Sequence, residues 1–319
     1  MSEENAVEKK SFLKRIHNEG FTWHDNFFVI TLLFLFLMVV SSVIAAPFEY
    51  FIKRLFPTVN DDGFWSLFIM YASTIFQWLI FALYCAVTKL NRPILRAITP
   101  EAKGNTLKML LIGLLIGFGE NALGILLAAL HSDIHLSYNG FPIIRLIAMF
   151  VVVFIQSSSE ELLCRNFLYQ RLRRGYKSPW VAIIGNAVIF MALHLLNPGV
   201  SVIPIIHLVV IAVFYSCFVY YFDSIWLPMM AHAGWNYTQN IIFGLPNSGI
   251  VSSFSIAKLE ASVGQITFFY DPTFGVEGSA FLLIVTIVAT AVVIVIGEKR
   301  GARSLNVWKK QEETERLTV

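Results

Sequence analysis

The stretch Ser157-Ser158-Ser159-Glu160-Glu161-Leu162-Leu163-Cys164-Arg165 closes an apolar run that begins near residue 142. It decides the reading of the chain, because two adjacent carboxylates at the end of such a run are costly in lipid, about 2.5–3.5 kcal/mol each on the most lenient scale. Taken alone, Glu160 and Glu161 are equally consistent with ordinary helix-end charges at the water interface. The remainder of the chain moves that balance.

Of 319 residues, 56% are hydrophobic and only 14% charged, and the mean hydropathy is +0.66. A soluble domain carries about a quarter of its residues as charges, so the expected class is an all-α, polytopic membrane protein. Apolar runs long enough to span, about 20 residues, occur at roughly 27–48, 64–88, 107–130, 142–163, 179–196, 202–222, 225–244 and 278–297. The seventh is the weakest, since it contains His232, Asn236, Gln239 and Asn240. The first 25 residues lack the pattern of a cleaved signal peptide, so the first run is expected to be retained.

Charge placement tests this eight-helix expectation. Twenty of the 24 Lys and Arg residues fall in 1–26, 89–108, 164–178 and 298–319, leaving Lys53, Arg54, Arg145 and Lys258 for the alternate set. An even span count with both termini cytoplasmic follows. The domain plan is therefore a cytoplasmic tail over 1–26, one eight-helix membrane domain over 27–297 and a second cytoplasmic tail over 298–319, in a multi-pass protein of the cell membrane. Phe12, Leu13, Ile16 and Phe21 beside basic residues predict an amphipathic helix along the inner surface. The segment 245–277 is read as either a hairpin or cap over the helices or a loosely ordered connection. Cys85, Cys164 and Cys217 show no metal or disulfide spacing and read as small buried hydrophobes. The net charge of +3 is accounted for by topology and calls for no nucleic-acid partner; membrane lipid is the expected surroundings.

Inside the predicted spans the ionisable shortlist is Glu120, Glu160, Glu161, His194, His207 and His232. Residues four apart share a helix face. Glu161 and Arg165 are such a pair, which leaves Glu160 turned about 100° away. Phe190 and His194 share a face of the fifth span, and His232 and Asn236 share a face of the seventh. Helix rises place Glu160 and His194 at compatible depths and His232 nearer the basic side, so a site toward the cytoplasmic leaflet is expected. A carboxylate and two imidazoles around one cavity suit general-base activation of water at a carbonyl, with Asn236 and a histidine as oxyanion donors. Hydrolysis of a peptide bond is the reaction this fits.

Glu160-Glu161-x-x-x-Arg165, Phe190-x-x-x-His194 and His232-x-x-x-Asn236 together resemble the motif series of the CPBP intramembrane proteases, the family of type II CAAX prenyl endopeptidases and bacteriocin-immunity relatives. The resemblance covers 157–236. It implies a glutamate-dependent endopeptidase in which Glu160 with His194 activates water, His232 and Asn236 stabilise the oxyanion, and Glu161, Arg165 and Phe190 support them. It implies a peptide or protein substrate, lipidated or membrane-embedded, and no cofactor. A divalent metal held by Glu160, His194 and His232 is chemically allowed but ranks below metal-free catalysis.

Other protease chemistries lack their motifs: there is no HExxH, Gly199-Val200-Ser201-Val202 lacks the glycine of a rhomboid serine motif, and Asp223 is a lone aspartate at a span end. Two alternatives of other classes stay open. A transporter would use Glu120-Asn121, flanked by Gly117, Gly119 and Gly124, with His207 extending the path. A non-catalytic immunity or scaffold protein would keep the motifs and bind a partner. Glu120 reads equally as a cavity residue or a packing residue, His207 as structural, and Ser157 to Ser159 as packing hydroxyls rather than nucleophiles.

Overall fold

The computed structural model describes residues 15–56, 63–301 and 303–308. Its helices are α1 (Phe27–Leu55), α2 (Gly63–Ser73), α3 (Ile75–Val87), α4 (Leu107–Leu130), α5 (Ile143–Glu161), α6 (Tyr169–Gly175), α7 (Pro179–Leu193), α8 (Val202–Phe222), α9 (Trp226–Asn236) and α10 (Ala280–Arg300). Two π-helical segments, Leu162–Leu168 and Tyr237–Ile242, continue α5 and α9. Among the described residues six helical stretches are long and apolar enough to cross a membrane: Phe27–Leu55, Gly63–Val87, Leu107–Leu130, Ile143–Gly175, Val202–Phe222 and Ala280–Arg300. The protein is a multi-pass, mostly helical membrane protein.

Two of the eight predicted spans come out differently. The run 179–196 holds a helix of 15 residues, roughly 22 Å long, after which the chain turns at 194–201. The run 225–244 splits into α9 and the second π segment. The first stops ahead of the turn that holds Asn197, Pro198 and Gly199, and the second runs on as a π-helix to Ile242.

The basic segments gather at one end of the bundle. Asp25 is fully buried and pairs with Arg171, 3.2 Å away, and with Arg174; Arg171 also donates to Asn91 Oδ1 at 2.9 Å. Asn18 Nδ2 donates to the carbonyls of Arg173, Arg174 and Tyr176. Asp223, left-handed at φ 53°, ends α8 and accepts from the backbone N–H groups of Lys103 and Leu305. Residues 15–26 and 303–308 thus meet the same end, as the charge count expects. Of the expected amphipathic helix, residues 15 and 16 are helical; beyond them His17 bridges Tyr176, Phe21 packs on the His17 ring and edge-on to that of Tyr176, and a short 3-10 turn at Trp23–Asp25 leads into α1. Phe12 and Leu13 lie outside the described residues.

At the opposite end the fold departs from all-α. Strand β1 (Ile134–Tyr138) pairs antiparallel with β2 (Ala257–Ser262), from Ile134 opposite Ser262 to Tyr138 opposite Ala257, with a bulge between His135 and Leu136. The segment 245–277 is therefore an ordered cap. Between the two ends, α4 lies against α9 at close range, because a Cβ on Gly113 or Gly117 would run into the carbonyls of Leu227 or Ala231. A buried Asn186 Nδ2 to Ser216 Oγ bond of 3.0 Å ties α7 to α8, replacing the hydrophobic drive that lipid does not supply. All three cysteines are buried and free.

Candidate active site

Helix α5 carries Ser157, Ser158 and Ser159 without breaking, because two hydroxyls bond back to its own carbonyls: Ser158 to Ile155 at 3.2 Å and Ser159 to Gln156 at 2.7 Å. The next two residues diverge. The Glu161 side chain is 0% exposed and that of Glu160 is 29% exposed, as a 100° rotation requires.

Glu161 Oε1 accepts from Arg165 Nη1 at 3.0 Å and faces His232 Nδ1 at 2.9 Å. Glu161 is the last residue of α5 and Arg165 lies in the first π segment. Arg165, itself fully buried, stacks its guanidinium on the Phe190 ring at 4.1 Å and near the Tyr215 ring at 5.7 Å. Desolvated contacts of this kind are worth about 2 kcal/mol or more, which compensates for Arg165 Nε and Nη2 having no hydrogen-bond partner. Phe190 is thus more than a wall for His194: its ring lies 4.6 Å from the His194 ring and 6.4 Å from that of His232.

The ring nitrogens follow from their partners. A carboxylate and a carbonyl only accept, so His232 donates from Nδ1 to Glu161, and His194 donates from Nδ1 to Phe190 O at 2.8 Å. In the neutral form of either imidazole the lone pair is then on Nε2. His232 Nε2 stands 4.0 Å from Glu160 Oε2, a gap too long for a direct bond and suited to one bridging water. Glu160 Oε1 is taken by Gln156 Nε2 at 2.5 Å.

These groups line one cavity of about 280 Å³, with Glu160, His194, His232 and Asn236 on its wall and Phe34, Met38 and Leu163 among its apolar surfaces. The lining reaches Asn197, Asn247, Ser248 and Ile250, which belong to the capped end. The cavity thus extends from the bundle interior toward the end that carries β1 and β2.

Glu120 and His207 do not line this cavity. His207 is buried between Glu277 O, at 2.6 Å from Nδ1, and Thr286 Oγ1, at 3.0 Å from Nε2, which gives it a packing role. Beside Glu120, Asn121 Nδ2 donates to Gln239 Oε1 at 2.6 Å. Sequence reasoning missed Gln156 and Asn247. Gln156 had a signal, since it precedes Glu160 by four residues in an apolar run; Asn247 had none. Among the described residues no group of three or more His, Cys, Asp and Glu side chains is arranged to hold a metal ion.

A capped helical bundle with buried Glu, Arg and His side chains beside an interior cavity defines the class as a multi-pass, mostly helical membrane protein with a polar centre. Residues 142–238 match the family model described as Type II CAAX prenyl endopeptidase Rce1-like, the family whose motifs the sequence resembles. The matched segment contains all three motifs, and the family implies a CAAX-type protease. Nothing matches among curated proteins or among solved structures.

Proposed function

We propose that this protein is a glutamate-dependent intramembrane endopeptidase of the cell membrane, with both termini cytoplasmic, that hydrolyses a peptide bond without a metal ion. The observation that carries the reading is the 4.0 Å separation of Glu160 Oε2 and His232 Nε2 on the wall of a cavity that also holds His194. A water between them gives up its proton to Glu160, with the His194 Nε2 lone pair as second acceptor, while its oxygen attacks the scissile carbonyl carbon. The oxyanion formed accepts from Asn236 Nδ2 and from the form of His232 that carries a proton on Nε2 as well as Nδ1, a contribution of about 2.7–4 kcal/mol per donor in comparable sites. The carbon–nitrogen bond then breaks, the proton held by Glu160 passes to the leaving amine, and the Glu160 carboxylate is regenerated as the carboxylic acid and amine products leave.

The family description supports a peptide or protein tail as substrate, prenylated or embedded in the membrane. The apolar side chains Phe34, Met38, Leu163 and Leu193 on the same wall suit such a segment. The test compares protein termini in membranes from cells carrying wild type and Glu160→Gln. Termini present only with wild type are the expected result; identical sets would refute the assignment.

A further inference from the structure

The amide side chains beside Glu160 form an ordered chain. Asn247 Nδ2 donates to Asn236 Oδ1 at 3.1 Å, Asn236 Nδ2 donates to Gln156 Oε1 at 3.2 Å, and Gln156 Nε2 donates to Glu160 Oε1 at 2.5 Å. A primary amide has one accepting oxygen and one donating nitrogen, whereas an ionised carboxylate only accepts. The carboxylate therefore sets the direction of every bond back to Asn247. The second Asn236 hydrogen goes to Ser157 Oγ at 3.1 Å.

The far end of the chain is anchored from the cap. Asn247 and Ile250 close a tight turn with reciprocal backbone bonds of 2.9 and 2.8 Å, and its central residues are left-handed, Ser248 at φ 47° and Gly249 at φ 84°. That is the primed turn of a two-residue hairpin. Serine adopts this backbone at a cost, and two neighbours hold it there: Glu277 Oε1 accepts from Ser248 N–H, and Asn197 Nδ2 donates to Ser248 O at 3.1 Å. Asn247, Ser248 and Glu277 all lie beyond the segment 142–238 that the family model matches.

We propose that Gln156 and Asn247 are positioning residues of the hydrolytic site, acting as a polarised amide chain that holds Glu160 Oε1 and fixes the orientation of the Asn236 amide. The inference rests on the peptidase reading above. Both Asn236 hydrogens are engaged in the resting site, so a substrate carbonyl reaches Asn236 Nδ2 by replacing Gln156 Oε1 or Ser157 Oγ as acceptor.

Reversing the chain tests it. Asn247→Asp is isosteric but cannot donate, so Asn236 turns to donate toward it, offers its oxygen to Gln156, and drives the Gln156 oxygen against Glu160. Asn247→Ala removes the terminal donor and leaves the direction set by Glu160. The readout is the rate at which the wild-type-dependent membrane termini appear, at matched protein level, together with the melting midpoint in detergent. Asn247→Asp is expected to slow cleavage about 10²-fold, as for a misplaced reacting group, and Asn247→Ala about fivefold, the worth of one neutral hydrogen bond. A packing role gives the opposite order, since Asp preserves the shape and Ala does not.

Cleavage by Asn247→Asp at or above the Asn247→Ala rate, with both folded, overturns the chain and leaves the peptidase reading standing. If Asn247→Asp does not fold, Gln156→Met decides: about tenfold slower cleavage with an unchanged melting midpoint supports the chain, and a wild-type rate overturns it. Identical termini from wild type and Glu160→Gln overturn both readings.

Discussion

His232 donates from Nδ1 to Glu161 Oε1 at 2.9 Å, and Arg165 Nη1 shares that oxygen at 3.0 Å. Glu161 is thereby the hub that turns the His232 Nε2 atom toward Glu160. Its position is fixed in turn by Arg165, whose guanidinium is clamped on Phe190.

Arg165→Ala should therefore cost stability as well as cleavage. It leaves Glu161 as a buried carboxylate with only an imidazole for company, and breaking a buried ion pair by removing one partner costs about 3–5 kcal/mol. A clearly lowered melting midpoint in detergent is expected. An unchanged midpoint would mean that the Glu161 charge is solvated.

Glu160→Gln and His194→Ala should separate chemistry from folding. Glu160 is partly open to the cavity and keeps an acceptor oxygen for Gln156 when changed to Gln, so its loss removes the proton acceptor and little packing. His194 caps the end of α7 through its own backbone, which survives truncation to Ala. Both variants should insert and melt like wild type while generating no wild-type-dependent termini. Near-normal cleavage by either one would sink the mechanism.

The contrast between those variants tracks what the sequence could convey. Helical periodicity separates Glu160 from Glu161 and pairs Glu161 with Arg165, because both relations lie within one helix. Charge counting places residues 15–26 and 303–308 at one end, because Lys and Arg avoid the hydrocarbon core. Contacts between helices carry no such period. That His232 meets Glu161, and that Arg165 stacks on Phe190, depends on how α5, α7 and α9 pack. The two π segments follow the site residues directly, and π turns have no composition signature that a hydropathy reading detects. The β1–β2 cap was open for the same reason: its partners are separated by more than 100 positions, and short exposed strands flanked by polar residues read like loops.

Metal removal bears on Glu160, His194 and His232 together. If water is activated by these side chains alone, cleavage should persist after prolonged exposure to a strong chelator, and elemental analysis of the purified protein should find no stoichiometric zinc. Loss of cleavage on chelation with recovery on adding zinc would replace the glutamate mechanism with a metal-bound water.

Glu277 predicts a pH dependence from outside the crossing helices, since it sits just ahead of α10. Burial pushes its carboxyl up from 4.5 to about 7, against the opposing pull of the Ser248 N–H and Trp235 Nε1 donors. Between those two values the folded protein keeps a proton that the unfolded chain has released. The unfolded state then binds fewer protons, so stability falls as pH rises through this window and levels off above it. The melting midpoint in detergent should decline over that range, and Glu277→Gln, which cannot titrate but retains an oxygen for Ser248 N–H, should flatten the decline. A decline of the same steepness in Glu277→Gln would assign it to other groups and remove Glu277 from the account.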